Sequence, residues 1–200
     1  MKQDTASLPP FIATEIDDSV FRRINGVSYR ENDDIRLSDL VYIPLLHYGF
    51  DSHVHRGEII CNKVIAEPVI TVFRTLYRKR YQIQSIRLIE DFGGSDDLSM
   101  RSNNTSSFNY RPSAGGGKLS RHALGLAIDI NPLYNPYVKE SEGRLRILPE
   151  EAAPYVDRSK RFPHKITHRD SAYLAFNESG FIWGGDWETL KDYQHFEIPS

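Results

Sequence analysis

The stretch "ALGLAIDI", residues 123–130, constrains the fold most, because it sets a carboxylate inside an apolar, strand-like run. An unpaired carboxylate is costly to bury, so Asp129 needs a partner. In a strand, alternate side chains share a face. Leu124, Leu126, Ile128 and Ile130 then fall on one side, and Gly125, Ala127 and Asp129 on the other. The second face carries the two smallest side chains nearby and leaves a hollow beside the carboxylate. A compact positive group, such as a metal ion, would fill it. His122 lies at an odd separation from Asp129, so it reaches the hollow only from a turn that precedes the strand and curls back.

Two ligands are too few for a catalytic zinc, which takes three protein ligands and a water. The other histidines are His47, His53, His55, His164, His168 and His195, and the zinc-helix pattern H-E-x-x-H is absent. His195 is the best third ligand. It lies in "DYQHFEI", a strand-like segment near the C-terminus, with Asp192 three residues before it. An acid in that place could serve as general base toward a metal-bound water. "HVH" at 53–55 is expected at a hairpin tip, and His164 and His168 at the surface beside a helix start. Trp183 and Trp187 in "GFIWGGDW" either wall a cleft or pack. "NNTS" contains glycosylation sequons, which matter only on a eukaryotic secretory route.

Along the chain, residues 1–35 are polar and Asp-rich and read as an extended lead-in to a domain over 36–200. "LVYIPLLHYGF" (40–50) and "GEIICNKVIA" (57–66) read as a hairpin around "DSHVHRG". Residues 64–80 have helical spacing, with Pro68 in the first turn. A strand over 83–90 follows, then a Gly/Ser/Asn-rich loop over 91–119, a length that is often functional. Residues 131–165 form a second long, Pro-rich connection. "THRDSAYLAFNESG" reads as a helix, with Thr167 and Asp170 as a capping pair and Gly180 as its stop.

Composition narrows the function. A net charge of −2 speaks against a general nucleic-acid or membrane surface role. No apolar run approaches the roughly 18 residues of a membrane span, and the first twenty residues carry no hydrophobic signal core. Cys61 is the single cysteine, which leaves no intramolecular disulfide and no thiolate zinc cluster. It sits in "GEIICNKVI" and is expected to be buried and inert.

The pattern S-x-H-x-x-G-x-A-x-D, here Ser120, His122, Gly125, Ala127 and Asp129, is followed by an acid-x-x-H element, Asp192 and His195. Together they resemble the zinc D-Ala-D-Ala carboxypeptidase family, which includes VanY-like carboxypeptidases, VanX-like dipeptidases and L-alanyl-D-glutamate endolysins. The resemblance is to the branch with Asp before the last histidine and spans roughly residues 85–198. It implies an α+β fold, a single compact domain with a central antiparallel sheet and helices packed against it. It implies Zn2+ bound by His122, Asp129 and His195, with Asp192 as catalytic base. It implies action on peptidoglycan stem peptides, a location at the cell envelope or outside the cell, and a monomer. Family members hold a substrate carboxylate or the oxyanion with an arginine. Arg111, at the end of "SFNYR", is the candidate and Arg101 the second; the S-G-Y-R-S stretch common in VanX- and VanY-like members is absent. Ser120 would position substrate or a ligand, or serve the turn. Two other readings compete: an inactive peptidoglycan-binding module of the same fold, and a metal hydrolase of a non-peptide bond. A dead copy need not keep the base, and a carboxylate-rich two-metal cluster and a basic patch are both missing.

Overall fold

The computed structural model describes residues 9–111 and 119–199. The Gly-rich lead "PSAGGGKLS" into His122 falls largely outside them, as does the very start of the chain.

The first elements are a short strand β1 (Thr14–Glu15) and helix α1 (Asp18–Ile24). Asp17 caps α1 by accepting from the backbone amides of Ser19 and Val20. These elements correct the extended lead-in. β1 pairs with the following strand, and Val20, Ile24, Tyr29 and Ile35 are buried in one core cluster. Two apolar residues among Asp and Arg, Val20 and Ile24, suffice for the helix, because a seven-residue amphipathic helix needs one buried stripe.

Strands β2 (Leu40–Tyr48) and β3 (Val54–Asn62) form the hairpin, paired antiparallel over all nine residues of each. Its near-continuous apolar run has a reason: both faces are covered. Ile43, Leu45, Ile59 and Cys61 face one cluster, while Leu40, Tyr42 and Ile60 face the other. Cys61 is fully buried, and burial pushes its thiol up to about 12. Helix α2 (Ala66–Arg78), with Pro68 in its first turn, lays Val69, Val72, Phe73 and Leu76 against the first cluster.

The expected strand over 83–90 shrinks to β4 (Ser85–Ile86). The supposed loop 91–119 contains helix α3 (Asp96–Arg101), capped by Ser95, and strand β5 (Asn104–Thr105), which runs parallel to β4. Buried asparagines hold this region. Asn104 accepts from the Arg87 amide (2.9 Å) and donates to the Arg87 carbonyl (3.0 Å), imitating a strand neighbour. Asn131 does the same between the Gln84 amide and the Gln82 carbonyl. Asn103 and Asn104 are fully buried, so the sequon asparagines are structural.

The strand read over 123–130 is only β6 (Ala127–Asp129). Arg121–Leu124 form a 3-10 turn that ends at Gly125 with φ +66°. A Cβ at Gly125 would lie 2.7 Å from the Asn62 amide. Gly125 is therefore small to let the turn close on β3, not to leave a hollow beside Asp129. The expected connection 131–165 contains a second hairpin, β7 (Tyr137–Ser141) and β8 (Arg144–Leu148), turning on Glu142 and Gly143, both at positive φ. Helix α4 (Ser171–Glu178) is capped by Asp170 alone. Short strands β9 (Ile182–Trp183), β10 (Lys191–Asp192) and β11 (His195–Glu197) complete the fold. The α+β class holds. Its antiparallel pairing is distributed over three three-stranded sheets, β1-β2-β3, β10-β7-β8 and β6-β11-β9.

Candidate metal centre and cleft

The pairing of β6 with β11 answers why a carboxylate stands in an apolar run. Phe196 lies opposite Ile128, and both are fully buried in the core, with Phe196 stacked on Phe176. The next pair, His195 opposite Asp129, points to the other face. One face of this β6–β11 pair builds core and the other builds a site.

His122 is delivered by the 3-10 turn, which Ser120 caps: Ser120 Oγ accepts from the His122 amide at 3.2 Å. His122 Nδ1 donates to the Ser107 carbonyl (2.7 Å), which turns Nε2 toward the site. His195 Nε2 donates to Glu197 (3.0 Å), which leaves Nδ1 facing inward. His122 Nε2, Asp129 Oδ1 and His195 Nδ1 then form a triangle with sides of 3.1, 3.1 and 3.2 Å. A tetrahedral ion with bonds of about 2.0–2.2 Å spaces its ligands about 3.3–3.6 Å apart. The donors fit a zinc ion with movements of a few tenths of an ångström. They are borderline nitrogen and oxygen donors of the type zinc takes.

The electrostatics suit a cation. Burial opposes charge on His195, yet Asp129 and Glu197 push it up to about 10. Burial likewise opposes charge on Asp129, and the two histidines nonetheless hold it well below the carboxylate range. Asp192 is different. Burial pushes it up to about 7, and its Oδ1 is buried with no hydrogen-bond partner among the described residues. A divalent ion beside it would draw its titration back down.

These groups line a cavity of about 440 Å³. Ser120, Arg111, Asp192, Trp187 and Glu197 border it with the triangle. Arg111 pairs with Asp96 within the cavity wall. Arg101 pairs with Asp97 and Glu151 and does not line the cavity. The tryptophans divide: Trp183 packs in the core and donates to the Tyr193 carbonyl, while the Trp187 ring lies 5.2 Å from His195. His55 pairs with Asp51, and His168 with Asp186, away from the site.

Several wall residues escaped the sequence reading: Arg121, Gln194 and the hairpin residues Tyr137, Lys139, Arg146 and Leu148. Arg121 also donates to the Ile198 carbonyl. The hairpin had a signal, since two strand-length runs flank Glu142-Gly143. Gly184 was another. A Cβ there would lie 2.7 Å from the Asp192 carbonyl and 3.3 Å from the His195 Cβ, so only glycine lets this turn pass beneath both residues.

Comparison with known proteins bears on this half of the chain. No curated protein and no solved structure matches it. Residues 114–198 match the family model described as D-alanyl-D-alanine carboxypeptidase. The match contains the three triangle residues and Asp192, and it excludes Arg111. Over that stretch, less than half of the chain, the sequence is similar to the D-alanyl-D-alanine carboxypeptidase family.

Proposed function

We propose that this protein is a zinc peptidase of peptidoglycan stem peptides, acting as a D-alanyl-D-alanine carboxypeptidase or a close cell-wall relative at the envelope or outside the cell. The observation that carries the reading is the three-atom triangle of His122, Asp129 and His195 beside Asp192, a half-buried residue whose Oδ1 is buried without a partner among the described residues. A binding module would have no use for such an oxygen. A phosphodiesterase would need the carboxylate-rich two-metal cluster that the described residues lack.

His122, Asp129 and His195 would hold the ion. When bound, zinc lowers the pKa of a coordinated water from 15.7 to about 7 and polarises a carbonyl. Asp192 takes the proton as the scissile carbonyl is attacked and returns it to the leaving amine. Glu197 and the Ser107 carbonyl fix the ring planes of the two histidines, and Ser120 fixes the turn that carries one of them. Arg111 lies on the cavity wall, where it offers positive charge to a substrate carboxylate or to the developing oxyanion. Its pairing with Asp96 weakens that offer.

The test is digestion of purified muropeptides by the zinc-loaded protein, with products weighed. Loss of one D-alanine supports the carboxypeptidase reading; cleavage inside the stem moves it to an endopeptidase. Intact muropeptides and stoichiometric zinc would overturn it.

A further inference from the structure

The cavity wall formed by β7 and β8 carries a feature that the metal chemistry does not use. In an antiparallel ladder, residues directly opposite one another share a face. Asp192 lies opposite Tyr137, and Tyr137 opposite Leu148, so these three form one cross-strand row. Two residues along, Lys139 lies opposite Arg146 and forms the next row on that face. Both rows line the cavity. Like charges directly opposite each other destabilise a ladder. Neither the Lys139 nor the Arg146 side chain makes a hydrogen bond or ion pair among the described residues, their ladder bonds being backbone ones. Glu140, the nearest acid along β7, alternates onto the opposite face and cannot neutralise them.

We infer that Lys139 and Arg146 form a subsite for a carboxylate on the substrate peptide, and so select acidic peptides. This deepens the peptidase reading above and rests on it for the location of the scissile bond. Strand rise places the two rows about 7 Å apart, which is two residues of an extended peptide. A peptide whose scissile carbonyl lies at the metal and whose proton traffic passes through Asp192 therefore offers the hairpin cations a side chain about two residues away. Arg111 serves this purpose less well, because Asp96 already neutralises it. Lys139 and Arg146 are exposed and unpaired, and their charge is available to an incoming anion.

The experiment uses the full chain loaded with zinc and pentapeptides ending in D-alanyl-D-alanine. One glutamate is walked along the other positions, and each peptide is matched with its glutamine counterpart. Both kcat/KM and equilibrium binding are measured. At the position two residues from the cleaved bond, glutamate should outperform glutamine roughly 5–10-fold, the scale of an exposed but doubly positive site. The ratio should shrink as salt rises. In Lys139→Gln/Arg146→Gln it should fall toward one, and Lys139→Arg alone should keep it. Equal zinc content across variants verifies that the double variant is folded. Hydrolysis with no glutamate preference at any position overturns the inference and leaves the peptidase reading intact. A preference that survives the double variant but disappears in Arg111→Gln also overturns it. Absence of hydrolysis, with a binding preference that still follows Lys139 and Arg146, keeps the anion subsite and removes the peptidase reading.

Discussion

The β2–β3 hairpin with α2 and the site built around β6 and β11 are made in opposite ways. The first uses two nine-residue strands and a thirteen-residue helix, held by apolar burial on both faces of the ladder. The second uses strands of two or three residues, a 3-10 turn and close-packed glycines. Stability in the first is spread over many interchangeable contacts. Geometry in the second hangs on single residues, each with one orientation and one partner. Substitutions should therefore separate the two regions: folding energy is lost in the scaffold, and metal or turnover in the site.

The largest effect belongs to the triangle. Asp129→Ala or His195→Ala should abolish zinc retention and take turnover to the detection floor, read by metal analysis and muropeptide digestion on the same sample. A variant that keeps full zinc would remove that residue from the ligand set. Asp192→Asn comes next. It should keep one zinc and lose roughly 10²–10⁴-fold in kcat; near-normal turnover would shift the base to Glu197. In the scaffold, Phe73→Ala should cost about 3–5 kcal/mol in chemical denaturation. The zinc bound per folded molecule should not change, and a parallel loss of zinc would break the division drawn here. Gly184→Ala should show the reverse sign of coupling. Its stability cost is about 1–3 kcal/mol, but turnover should fall beyond what the folded fraction explains, because the added methyl meets Asp192 and His195. Equal losses in both would make Gly184 a packing residue only.

The same contrast decides what the sequence could disclose. The hairpin and α2 were readable within a few residues, because long runs of Ile, Val and Leu set their own period. The convergence of His122, Asp129 and His195 was readable for another reason: a carboxylate in an apolar strand and a histidine in a terminal strand leave few arrangements. The argument for a hollow lined by Gly125 failed, since that glycine serves a left-handed turn end against Asn62. Helix α3 was hidden because six residues, DDLSMR, are too few to show a period among Asp and Ser. The β7–β8 hairpin kept a turn signal at Glu142-Gly143, but its strands were masked by charge; Lys139 and Arg146 interrupt the apolar alternation on the face that lines the cavity. Neither Asn104 nor Asn131 could be read as a backbone substitute, because such a role depends on partners 17 or more residues away.

The central claim is that two imidazoles and one carboxylate hold zinc. X-ray absorption spectroscopy of the zinc-loaded protein tests it most directly. The account predicts a first shell of nitrogen and oxygen only, at about 2.0–2.2 Å, with outer-shell scattering from two imidazole rings. A sulfur shell near 2.3 Å, which only Cys61 or a methionine could supply, or scattering from one ring or none, would contradict it.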